Sequence, residues 1–94
     1  MISMGEALKP NGEMARLRTK LDVAGIGWAD ASDELFCRTQ AYDEDGIVFS
    51  AICGAYAYGN VEVWTRAMMA RKEDPVGVGS ADEAFEIIRR EVGA

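Results

Sequence analysis

A chain of 94 residues, about half of them hydrophobic, suits one domain around one core and is too short for two. Sixteen acidic against ten basic residues leave a net charge of −6, which disfavours passive adhesion to nucleic acid or anionic lipid. The absence of histidine removes Ser-His-Asp and Cys-His pairs and one member of the usual zinc ligand sets.

In chain order, Ser3-Met4-Gly5-Glu6 fits a capping box, so a short helical turn is expected over Met4 to Lys9, stopped by Pro10. Asn11 can cap a helix from Gly12 to Ala24, in which Met14, Leu17, Leu21 and Ala24 recur at helical spacing and Gly25 supplies the end. Ile26 to Asp30 is glycine-rich and short, an extended link that carries Trp28 into or over the core.

Leu35 to Tyr58 is the organising stretch, a β-hairpin turning at Asp43-Glu-Asp-Gly46. Two registers are open. A four-residue loop sets Tyr42 against Ile47 and Cys37 against Ile52; a three-residue turn with Gly46 left-handed sets Asp43 against Ile47, Ala41 against Phe49, Thr39 against Ala51 and Cys37 against Cys53. Glycine at the end of the turn favours the second. It also sorts the side chains better, with Leu35, Cys37, Thr39, Ala41, Phe49, Ala51 and Cys53 on a core face. Phe36, Arg38, Gln40, Tyr42, Val48, Ser50 and Ile52 then share a mixed face suited to contact with a partner.

Gly54-Ala-Tyr-Ala-Tyr-Gly59 brings Tyr56 and Tyr58 to one side of an extended segment, either as edge packing or as an aromatic platform. Asn60 to Met69 combines strand alternation (Val61, Val63, Thr65) with the helix composition of Ala67-Met-Met-Ala; a third strand from Val61 to Met68 is favoured. Pro75 to Gly79 is a short extended lead-in. Ser80-Ala-Asp-Glu83 is a capping box ahead of a helix from Ala81 to Val92 whose inner face carries Ala84, Phe85, Ile88 and Val92. The expected fold is therefore α+β over residues 1–94, in the order α-β-β-β-α. A three-stranded antiparallel sheet of Glu34 to Tyr42, Ile47 to Gly54 and Val61 to Met68 is packed by the two main helices.

No run specifies a reaction. Cys37 and Cys53 occupy apolar strand positions and read as small core residues, and as reduced thiols in the cytosol, since no export signal or membrane-length apolar run is present. Asp43 to Gly46 begins like a calcium loop, but the twelfth position is Gly54 rather than glutamate. Gly77-Val-Gly79 before a helix lacks the Gly-Lys of a phosphate loop and is followed by Asp82 and Glu83. Hence no catalytic residue, no metal and no cofactor is expected, and the chain reads as a non-enzyme. Asp30, Asp33, Glu34, Asp43, Glu44 and Asp45 stand against Arg38 alone, so this stretch accounts for −5 of the net charge. It is either a solubilising surface or an acidic patch that docks on a basic groove.

Gly25-Ile-Gly-Trp28-x-Asp30, Arg38-Thr39, Phe49-Ser50-x-Ile52-x-Gly54, Tyr58-Gly59, Pro75-Val-Gly77 and Ser80-Ala-Asp-Glu83 follow one another in an order that resembles small open reading frames of phages, prophages and conjugative elements of gut bacteria. The likeness covers about Leu17 to Val92. It implies a bacterial host cytosol and a host-takeover or counter-defence role, of which anti-CRISPR proteins are one kind: blocking a nucleic-acid effector by binding it as a protein, without contacting nucleic acid or membrane. The expected partner-binding residues are the six acids. A different class of function is a nucleotide or small-ligand sponge or sensor, with Tyr56 and Tyr58 stacking a base and Arg38 or Arg66 meeting its phosphate. So small a chain has little room for such a pocket, so this reading calls for a homodimer that buries the mixed hairpin face. An interaction domain of purely structural role is the third alternative.

Overall fold

The computed structural model describes residues 11–54 and 59–93. The expected helical turn at Met4 to Lys9, and Tyr56 and Tyr58, lie outside the described residues. Among the described residues, three helices and a five-stranded antiparallel sheet make an α+β fold: α1 (Gly12–Val23), β1 (Ala29–Asp30), β2 (Cys37–Asp43), β3 (Gly46–Cys53), β4 (Val61–Thr65), α2 (Arg66–Ala70), β5 (Val76–Val78) and α3 (Ala81–Val92). The strands lie side by side in chain order, β1-β2-β3-β4-β5.

The sheet has five strands where the sequence reading has three. β1 pairs Ala29 with Gln40 and Asp30 with Thr39, and β5 pairs Val76, Gly77 and Val78 with Val63, Glu62 and Val61. Two or three residues are too few to show a period of two, so neither edge strand stands out from its glycine-rich surroundings. Short edges also limit the unpaired backbone offered to other chains. Close approach explains Gly59, which precedes β4 with φ +66°: a Cβ there would stand 2.6 Å from the carbonyl oxygen of Val78.

The hairpin combines features of both expected registers. At its tip Tyr42 pairs with Ile47 as in the first, with Asp43 and Gly46 (φ +112°) also paired rather than in the loop; then Val48 is passed over, and Ala41–Phe49, Thr39–Ala51 and Cys37–Cys53 pair as in the second. A bulge one residue inside the strand thus does the work assigned to a bulge in the turn. It turns Val48 against the core rather than onto the mixed face, and Ile47 takes the outer position. Glu34 to Phe36 precede β2 rather than belonging to it.

β4 ends at Thr65, a correction to the strand expected through Met68. The Thr65 hydroxyl accepts from the Met68 amide at 3.3 Å and caps α2, whose Ala67 amide in turn donates to Glu91 Oε1 at 3.1 Å. Threonine suits a strand and a helix cap equally, and here it serves as both.

One face of the sheet carries the core. Phe49, Ala51, Val61, Val63 and Cys37 are fully buried under Met14, Leu17 and Leu21 of α1 and Ala81, Ala84 and Ile88 of α3. Both cysteines are free. In α1 the Asn11 side chain accepts from the Met14 amide at 2.7 Å, and the helix closes one residue earlier than expected. Ile26 N–H donates to Leu21 and Gly25 N–H to Asp22, with Gly25 left-handed (φ +72°). α3 starts on Ser80, which accepts from Glu83 N–H at 3.3 Å. Val92 is exposed at its far end and does not join Ile88 in the core. The two helices are tied by Lys20 with Asp82 (2.6 Å) and by Glu13 Oε2 accepting from the Ala81 amide (3.4 Å).

Candidate interaction surface

Alternation puts the next residue of each buried one on the opposite side of the sheet, and among the described residues no helix covers that side. Three strands furnish it. Across one level run Arg38 of β2, Ile52 of β3 and Glu62 of β4; across the next run Gln40, Ser50 and Trp64; Tyr42 and Ile47 close the hairpin end. Arg38, Gln40, Ile47, Ser50, Ile52, Glu62 and Trp64, with Pro75 beside β5, line an open depression of about 310 Å³. Its floor is held in place. Gln40 is only 8% exposed, donates to Ser50 Oγ at 3.2 Å and accepts from the Tyr42 hydroxyl. The polar groups are thus fixed by neighbours on the same face, while Trp64 and Ile52 present apolar surface between them.

The six acids do not gather on this face. Asp33 and Glu34 precede β2 and Asp43, Glu44 and Asp45 stand at its far end, about 20 Å apart at a strand rise of roughly 3.4 Å per residue, while Asp30 pairs with Thr39 between them. At one end Asp33 accepts from the amides of Leu35 and Phe36, which chiefly hold its carboxyl below the ordinary range, and meets Arg38 at 3.2 Å. Asp30 is likewise lowered, first by the hydroxyl and amide of Ser32, and lies 3.5 Å from Arg18. At the hairpin tip Arg66 donates twice to Asp43, at 2.8 and 2.6 Å, and holds its carboxyl at about 2. Three of the six therefore have internal work. Glu34, Glu44 and Asp45 are exposed, and their side chains have no hydrogen bond or ion pair among the described residues.

Arg38 and Arg66 are not brought together either. Arg66 is spent on the hairpin tip, also donating to the carbonyls of Gly46 (3.1 Å) and Ile47 (3.3 Å), while Arg38 stands at the other end of β2. Between them they form no single phosphate site.

Sequence reasoning found the hairpin's outer residues but left Trp64 and Glu62 out of the surface. The alternation of β4 carried that signal: with Val61, Val63 and Thr65 inward, Glu62 and Trp64 must share the side of Arg38 and Ile52. It also missed Arg18, whose Nε donates to Thr39 Oγ1 (2.7 Å), whose Nη2 donates to the Arg38 carbonyl (3.3 Å) and whose guanidinium lies 4.7 Å from the Trp28 ring centre. These contacts join α1 to the β1–β2 side of the sheet. No group of three or more metal-ligating side chains occurs among the described residues, and none of the described helices is long and apolar enough to cross a membrane. No family model matches the chain, and neither a curated protein nor a solved structure shows significant similarity to it.

Proposed function

We propose that this is a non-enzymatic binding protein that occupies the nucleic-acid site of a host or defence effector, in the manner of anti-CRISPR inhibitors from mobile elements. The observation that carries the reading is the pair of carboxylate groups at the two ends of β2, with Glu34 at one and Glu44 and Asp45 at the other, all exposed and outside any ion pair among the described residues. A rigid strand keeps the two groups at a fixed separation, as a run of phosphates would, and the overall charge of −6 steers the chain toward basic surfaces. Asp33 and Asp43 belong to these ends as well. Their internal bonds hold the loops that present the free acids.

The test has two arms. Immobilised protein is used to retain and identify its target from lysate of a bacterial host. Purified target is then bound to labelled nucleic acid, and the wild-type chain competes against a Glu34→Lys, Glu44→Lys, Asp45→Lys variant of unchanged circular dichroism. Wild type displaces the nucleic acid, loses that ability as salt rises from about 0.1 M to about 1 M, where the Debye length falls to roughly 3 Å, and the variant fails at every salt concentration. A complex that still binds its nucleic acid normally, or a variant that competes as well as wild type, rejects the proposal.

A further inference from the structure

The open sheet face meets the acidic ends where Arg38 pairs with Asp33 at 3.2 Å, and its own charges have a two-fold arrangement. On the central strand β3 sit an apolar residue, Ile52, and a small polar one, Ser50; on one side of Ile52 stands a cation, Arg38, and on the other an anion, Glu62. Rotation by half a turn about an axis that lies along β3 in the plane of contact exchanges the positions of β2 and β4. It therefore sets Arg38 against Glu62 of a second copy and Gln40 against its Trp64. Ile52 then meets Ile52 and Ser50 meets Ser50. From this charge complementarity we infer that the open face mates with the same face of a second copy of this chain, making a two-fold symmetric dimer of stacked sheets.

Stacked sheets are rotated by about 30° relative to one another, but residues one strand from the axis move little under that rotation, within the reach of arginine and glutamate side chains. The contact across the axis adds to what each charge already holds: Arg38 keeps Asp33 at 3.2 Å, on the outer side of β2. The depression of about 310 Å³ between Arg38, Glu62 and Trp64 gives opposing side chains room to enter. Three central strands offer a contact at the small end of specific interfaces, so the dimer is weak and reversible. Asp33 borders it through Arg38, while Glu34, Glu44 and Asp45 lie beyond the paired levels of the three strands. The dimer thus presents two copies of the surface proposed to bind the effector, and it stands or falls independently of that proposal.

Sedimentation equilibrium on three full-length proteins tests this: wild type, Arg38→Glu and Glu62→Arg. In either variant alone the two-fold places like charges opposite each other at both contacts, carboxylate facing carboxylate in the first and guanidinium facing guanidinium in the second, and self-association weakens at least about tenfold. Mixed in equal amounts, the two variants restore opposite charges at one contact and exchange their signs at the other, so a one-to-one heterodimer forms with affinity near that of wild type. Circular dichroism of each variant confirms that it is folded. Wild type that remains monomeric at several hundred micromolar, a single variant that dimerises as wild type does, or a mixture that stays monomeric each overturns the inference. An asymmetric contact would give the second or third of these results.

Discussion

The two faces of the sheet come from the same strands and differ in what their neighbours demand. On the helix side, Phe49, Ala51, Val61 and Val63 are enclosed by α1 and α3, so each side chain is set by shape. On the open side, Gln40, Ser50, Ile52, Glu62 and Trp64 line a depression that no described helix fills, and polar, charged and aromatic groups coexist. The covered face decides whether the chain folds; the open face is available for recognition because folding asks little of it.

The sharpest way to break that contrast is to truncate one residue from each face of β3. Phe49→Ala leaves a cavity at the centre of the core and is expected to cost about 3–5 kcal/mol, a large part of the stability of a domain this size. Ile52→Ser, three residues along on the half-exposed side, is expected to cost about 1 kcal/mol. Denaturant titration at low protein concentration, where dimerisation does not contribute, measures both. Similar losses would mean that the open face is a second core.

A smaller effect sharpens the boundary between the faces at the end of β4. Thr65 points into the core and also caps α2, so Thr65→Val keeps the volume and removes only the cap. The expected loss is about 1 kcal/mol, with faster amide exchange in Met68 and its neighbours and unchanged exchange in Val61 and Val63. Loss of protection throughout β4 would show that strand and helix do not separate at Thr65.

The smallest effect lies at the hairpin tip. Asp43 is held at about 2, below its ordinary value of 3.8, first by hydrogen bonds from Arg66. Its pKa is depressed in the folded chain, so its contribution to stability is complete above the ordinary carboxylate range and is lost as pH falls from about 4 to about 2. Asp43→Asn should flatten the stability profile in that window and leave it parallel to wild type above about pH 5. A variant profile as steep as that of wild type between pH 4 and 2 would remove Arg66 as the tip's anchor.

Much of this was legible in the residues. Gly46 and the alternation around it announce the hairpin and its core face; Asn11 and Ser80 announce the starts of α1 and α3. The remainder depends on contacts that sequence proximity hides. Asp43 and Arg66 are 23 positions apart and meet only because β4 returns beside β3. The six acids look like one patch within a short stretch of chain, but β2 runs straight through it and sets Asp33 and Glu34 at one end and Asp43, Glu44 and Asp45 at the other. Trp64 reads as one more residue in an ambiguous segment until the level of Ser50 and Gln40 places it on the open face.

Hydroxyl-radical footprinting across a dilution series addresses the difference between the faces most directly, because it reads both sides of the same strands in one experiment. Phe49 should stay protected at every concentration. Ile52 and Trp64 should be protected at high concentration and become labelled together as the protein is diluted through the micromolar range. Labelling of Phe49 in the folded protein, or labelling of Ile52 and Trp64 that does not change with dilution, would contradict the division of the sheet into a core face and a face that docks a second copy.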